Sequence, residues 1–217
     1  EPAVMEVPGK TFPMDVRHVY DGNPCSHRKA HNIYGTQMAR ATYEGVKKFA
    51  YPKRPFIITR SAYSGAQRYT SSWTGDNVAS WEHLWIANIQ VQRMSISGMG
   101  FTGSDIGGFA EQPSAELYAR WIQLGVFHPF CRTHSSGDHG DQEPWSFNEE
   151  VVDITRKFVE LRYQLLPYLY TMFWEYINDG VPMLKPLVYF DQEDPQTHYR
   201  TDEFIFGNQI LVCPILE

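Results

Sequence analysis

Apolar positions along this 217-residue chain recur at spacings that alternate between helical and extended. Between Asn32 and Phe49, the residues Ile33, Met38, Ala41, Val46 and Phe49 fall near one face at about 3.6 residues per turn. That spacing predicts an amphipathic helix, weakened by Gly35 and Gly45. Lys53-Arg54-Pro55 closes it and opens Phe56-Ile57-Ile58-Thr59, a short buried strand ending at Arg60. After a Gly/Ser/Thr-rich passage to Asn77, a second helix is predicted over 80–95, with Leu84, Ile86, Ile89, Val91 and Met94 as its apolar members. Gly98 to Asp105 reads as a strand packed tightly because so many side chains are absent. A third helix follows over 114–124, then Val126-Phe127 and a polar loop from Arg132 to Glu143. The longest helix is announced by a capping-box pattern, Ser146-x-x-Glu149, with Val151, Ile154, Phe158, Leu161, Leu165 and Leu169 stepping by three or four. Pro167 is expected to bend it, and Gly180 followed by Pro182 to end it. Met183–Phe190 and Glu203–Ile215 read as strands, the latter turning at Gly207-Asn208, whereas residues 1–31 are loop-like.

Strands and helices that alternate in this way predict an α/β fold with a parallel sheet. In such folds, polar residues at the carboxyl ends of strands build the site. Arg60, Asp105 and the Trp73-Thr74-Gly75-Asp76-Asn77 stretch stand at those positions. No internal repeat, low-complexity tract or charge run interrupts the pattern.

Composition narrows the classes. With 42% hydrophobic and 20% charged residues the chain can bury a core rather than remain disordered. A net charge of −6 leaves no basic footprint for nucleic acid, and no apolar run approaches the ~18 residues that would span a bilayer. Aromatic residues reach 15%, a content that suits ring faces stacking on sugars or bases. Cys25, Cys131 and Cys213 are widely spaced and outside any CxxC pattern, as reduced thiols would be. Without an initial Met, and opening on Glu1-Pro2, the sequence reads as a piece of something longer.

Several patterns carry chemistry in other proteins. Gly98-x-Gly100-x-x-Gly103 matches a dinucleotide fingerprint, but Ser104-Asp105-Ile106-Gly107-Gly108 is a poor start for the helix that would hold a pyrophosphate. Packing is the better account. His27-x-x-x-His31 and the loop bearing His134, Asp138, His139 and Asp141 match no zinc or hard-ion spacing and read as polar loop residues. No G-x-S-x-G elbow is present for a serine nucleophile. What remains is a set of carboxylates, Arg, His and rings: Asp76 in a glycine- and aromatic-flanked turn, Asp105 at a strand end, and His134. A lone Asp beside Gly is also an ordinary turn residue, so pattern alone leaves carbohydrate hydrolysis as one of two readings.

Six collinear segments resemble glycoside hydrolase family 31, the retaining α-glucosidases and α-xylosidases. They are Arg54–Ser61 (RPFIITRS), Trp73–Asn77 (WTGDN), Gly103–Phe109 (GSDIGGF), Pro129–His134 (PFCRTH), Leu161–Tyr170 (LRYQLLPYLY) and Phe206–Pro214 (FGNQILVCP). Gly65-Ala-Gln-Arg68 and Glu143-Pro-Trp145 are most similar to its neutral α-glucosidase branch. The resemblance implies the second half of a (β/α)8 TIM barrel over residues 1–190, leading into a C-terminal β-sandwich domain over 191–217. It implies a nucleophile Asp upstream of Glu1, since Glu1-Pro2 matches the end of an Asp-Met-Asn-Glu-Pro-like motif. Asp76 matches the general acid/base. A neighbouring nucleophile carboxylate disfavours a second negative charge there, and Trp73 can exclude water. Arg60 and His134 match donors to glucose hydroxyls, Asp105 a carboxylate holding Arg60, and Trp73 and Phe109 sugar-facing rings. Thr133 and Cys131 depart from common family residues without touching the mechanism. The implied activity is exo-hydrolysis of terminal α-linked glucose with no cofactor or metal. The implied partners are an α-glucoside oligosaccharide and the remainder of the barrel, because a half barrel with an open sheet edge is not expected to be stable alone. An α-xylosidase, another α-glycosidase of the family, or a non-catalytic carbohydrate-binding relative are the alternatives.

Overall fold

The computed structural model describes residues 8–217, so Glu1-Pro2, on which the nucleophile motif was expected to end, lies outside the described residues. Two compact units divide the chain at Ser72/Trp73.

In the first unit, a short antiparallel pair, β1 (Arg17–His18) with β2 (Cys25–Ser26), leads into helix α1 (His27–Phe49). The helix starts five residues before the expected Asn32, because extended Ser26 launches it and its first turn buries His27 and Ala30. Lys47 and Lys48 in its last turn face the negative end of the helix dipole favourably. Gly35 is there for contact, since a methyl group would overlap Ser61, whereas Gly45 meets nothing. The expected strand at 56–59 is reduced to one parallel bridge, Ile58 to Ser71, flanked by Thr59 N–H donating to Ser71 O (3.0 Å) and Ser71 N–H to Ile57 O (2.9 Å).

The second unit opens with helix α2 (Trp81–Ile96), capped by Ser80 Oγ, which accepts from the His83 amide. Strand β3 (Asp105–Ile106), helix α3 (Ala115–Gly125) and strand β4 (Arg132–Thr133) form a parallel crossover with Asp105 beside Arg132 and Ile106 beside Thr133. The strand expected over 98–105 is thus only its last residue and the next. Its glycines serve close approach: a methyl on Gly103 would overlap the Phe130 carbonyl oxygen, and one on Gly100 would lie 2.7 Å from the Tyr176 ring.

Helix α4 (Glu149–Asp179) is capped by Asn148, whose Oδ1 accepts from Val151 N–H at 2.9 Å, and not by Ser146. Pro144 starts a tight turn in which the Ser146 amide is already spent on Glu143 O, so the Ser-x-x-Glu pattern lies two residues too early. The helix runs through Pro167 unbroken and stops at Gly180 in the left-handed conformation (φ 71°). An antiparallel sheet of β5 (Leu184–Pro186), β6 (Phe204–Phe206) and β7 (Ile210–Val212) follows, turning at Gly207. Tyr168 OH ties it to α4, donating to Phe206 O and accepting from the amides of Asn208 and Gln209. Leu84, Ile106, Trp121, Leu124, Leu184 and Phe206 are fully buried at the centre of this unit. The three cysteines are free thiols.

Candidate active site

The second unit gathers polar residues around the β3–α3–β4 crossover. Thr74 N–H donates to Gly103 O (3.1 Å), which sets the Trp73–Asn77 segment alongside the approach to β3. Gly75, at φ 85°, takes the left-handed conformation that folds the chain back, and Thr74 Oγ1 donates to Asn77 Oδ1 at 2.5 Å across the turn. Asn77 is buried and its carbonyl accepts from both Phe109 N–H (2.7 Å) and Ala110 N–H (3.1 Å). Asp76 therefore stands exposed at the tip of a turn whose next residue is pinned on both side chain and backbone.

Below it lies Asp105, with no solvent exposure. Its Oδ1 accepts from Arg132 Nε (3.1 Å) and Nη2 (2.9 Å), and its Oδ2 has no hydrogen-bond partner among the described residues. Burial pushes its carboxyl above the ordinary range. The Arg132 and His134 charges pull it down, and the Asp76 charge pushes it up. All three charged groups thus lie close enough to act on Asp105. The Arg132 guanidinium also sits 5.3 Å from the Trp73 ring centre and 5.2 Å from that of Phe130, while Phe109 lies tilted on His134 at 5.3 Å.

The guanidinium on Asp105 is that of Arg132, where the family resemblance pointed to Arg60. Paired residues on adjacent parallel strands are neighbours, and Arg132 is the in-register partner of Asp105. Its place two residues before His134 in one motif was the available signal. Arg60 belongs to the first unit, where it is exposed and lines a cavity of about 280 Å³ with His31, Asn32 and Tyr63.

The spacing His27-x-x-x-His31 has its own explanation. His27 is fully buried and bonds through Nδ1 to His18 Nε2 (2.9 Å) and through Nε2 to His31 Nδ1 (3.0 Å) and Thr11 Oγ1 (2.9 Å). Its two nitrogens point to different partners, so the three imidazoles do not converge on one ion. Among the described residues no group of three or more His, Cys, Asp or Glu could hold a metal, and no helix is long and apolar enough to cross a membrane.

Comparison with known proteins decides the family. The Glycosyl hydrolases family 31 TIM-barrel domain matches residues 1–172, and the Glycosyl hydrolase family 31 C-terminal domain matches residues 180–217. The chain belongs to glycoside hydrolase family 31. Alpha-glucosidase 2 of Bacillus thermoamyloliquefaciens is 44% identical over 207 residues, covering 95% of this chain and 26% of that protein. Glucosidase 2 subunit alpha of Saccharomyces cerevisiae is 41% identical over 220 residues, covering 100% and 23%. Among solved structures, a Tris-bound glucosidase II alpha subunit superposes with a TM-score of 0.94 at 35% identity, covering 100% of this chain and 23% of that one. A family 31 alpha-glucosidase from Bacteroides thetaiotaomicron gives 0.88 at 37%, covering 98% and 34%. The chain spans about a quarter of the length of the curated relatives it matches. Its α/β portion is accordingly part of a family 31 TIM barrel, and the three-stranded sheet belongs to the region matched by the C-terminal domain.

Proposed function

We propose that this chain carries the acid/base half of a retaining, exo-acting α-glucosidase that releases terminal α-linked glucose. The observation that carries this reading is the Asp76 turn, held by Asn77 beside the buried Asp105–Arg132 pair and the Phe109–His134 contact. Asp76, as general acid, gives its proton to the departing sugar oxygen while a nucleophile carboxylate upstream of Glu1 bonds the anomeric carbon. As general base it then takes a proton from the water that releases glucose. The two carboxyl groups of such a pair stand about 5–5.5 Å apart. Both steps are nucleophilic and acid–base, and neither draws on a cofactor or metal. Arg60 and His134 donate to glucose hydroxyls, and Trp73 and Phe109 present apolar ring faces to the sugar. Asp105 fixes Arg132 rather than Arg60 by a charge-assisted pair of bonds. The α-glucosidases and glucosidase II subunits among the relatives support the substrate class.

The test is Asp76→Asn in the complete polypeptide that contains these residues. The kcat/KM for aryl α-glucosides with weakly acidic leaving groups is expected to fall by roughly 10²–10⁴-fold, and that for strongly acidic phenols much less, since they depart without protonation. Equal rates for variant and wild type on the weakly acidic leaving groups would refute the assignment.

A further inference from the structure

We infer that Gln142 is a positioning residue for the Asp76 turn, acting through the glycine pair Gly107-Gly108. Gln142 sits in the loop between His134 and α4, yet its relative exposure is only 7%. Its Nε2 donates to Gly108 O at 3.0 Å. Its Oε1 lies against Gly107, close enough that a methyl group there would come within 2.6 Å of it.

The glycine pair needs such a prop. Both residues are buried and hold positive φ, 91° and 89°, a conformation costly for any other residue. A methyl on Gly108 would lie 2.6 Å from the Ala79 backbone, so side-chain packing cannot hold this segment. Its buried carbonyl requires a donor, and the Gln142 amide supplies it. The amide orientation is set by that bond, because the opposite flip would set oxygen against oxygen.

The connection to Asp76 is short. The Gly108 N–H donates to Asp105 O (3.0 Å), and the next two amides, Phe109 and Ala110, both donate to Asn77 O, the carbonyl immediately after Asp76. Phe109 in turn lies on His134. Removing the Gln142 amide would leave Gly108 O unpaired in the interior and free the segment that fixes both Asn77 and Phe109. A displacement of the acid on the order of 1 Å is enough to lower a rate by up to about 10²-fold.

Granted that Asp76 is the general acid, as proposed above, the loss should fall where protonation matters. In the complete polypeptide, Gln142→Leu is expected to lower kcat/KM, which reports the step in which the leaving group departs, about 10-fold on aryl α-glucosides with weakly acidic leaving groups. On the most acidic phenol the loss in kcat/KM should stay under about twofold, while kcat falls on every substrate because the release of glucose by water still needs the carboxylate as base. Gln142→Glu adds a pH signature. Its neutral carboxyl can donate an O–H to Gly108 O, whereas its anion repels that carbonyl, so its activity relative to wild type should recover as pH falls. This second variant keeps the test readable if Gln142→Leu does not fold. Asp76→Asn is measured alongside. A graded loss of kcat/KM in Asp76→Asn with a uniform loss, or none, in Gln142→Leu overturns the positioning role alone. A Gln142→Glu variant whose activity relative to wild type does not change with pH overturns it too. A uniform response of kcat/KM in both Asp76→Asn and Gln142→Leu overturns the acid assignment.

Discussion

His128 is wholly buried, and neither of its ring nitrogens has a hydrogen-bond partner among the described residues. Burial, with the Arg162 charge adding to it, pushes its pKa down to about 3. The folded chain therefore keeps this imidazole neutral where the unfolded chain, near pH 6.5, already takes a proton. Stability from this group is complete above pH 6.5 and is lost as pH falls from there towards about 3, at roughly 1.4 kcal/mol per pH unit. His128→Leu is expected to remove that share of the acid dependence, measured as the slope of unfolding free energy in urea at a series of pH values. An unchanged slope would show that the ring is not held neutral. At this scale the sequence was legible where a side chain's chemistry and its local motif coincide. Asp76 and Asp105 stand out because glycines and rings flank them. Arg132 did not, because its pairing with Asp105 depends on a strand register that no local pattern displays. The burial of His128 was equally invisible, since nothing in Phe127-His128-Pro129 distinguishes a core imidazole from a solvated one.

Elements divide along the same line. Helices α2 and α3 begin within one residue of their expected starts, because a serine cap and a period near 3.6 are both local signals. The expected strands shrank to two or three residues, and β4 formed where a polar loop was expected, because their ladders depend on partners distant in sequence. The capping box before α4 misplaced the cap because Pro144 had already committed Ser146 to a turn. Glycines show how far contact overrides propensity. Gly45 lies inside α1 with open space where a methyl would go, so Gly45→Ala is expected to stabilise the protein by about 0.5–1 kcal/mol. Gly103→Ala puts the same methyl onto the Phe130 carbonyl oxygen and must push β3 and β4 apart. It should destabilise by at least about 2 kcal/mol and loosen the Asp105–Arg132 pair with it. Chemical denaturation of both variants checks the opposite signs. A neutral Gly103→Ala would mean that the glycine fingerprint has a purpose other than close packing.

For the molecule as a whole, the telling surface is on α4. Val159, Tyr163, Leu166, Tyr170, Trp174 and Ile177 are all exposed, and they follow one another at intervals of three and four residues. That spacing lays them along one face of the helix for about 27 Å, on the order of 18 residues at 1.5 Å each. Periodicity revealed another face, of which Val151 and Leu169 are buried, but it could not say that a second apolar stripe would meet water. Scattered apolar residues on a surface need no account, whereas a continuous apolar stripe marks a surface suited to contact. The 217-residue chain expressed by itself is therefore expected to bind the dye ANS and to associate as its concentration rises. Tyr170→Lys combined with Trp174→Lys should reduce both effects without lowering the helical signal, because neither side chain belongs to the buried core. Sedimentation velocity over a hundredfold concentration range gives the measurement. A chain that stays monomeric and dark to ANS would show the stripe to be a tolerated solvent face, whereas association relieved by the two lysines would locate the contact on this helix.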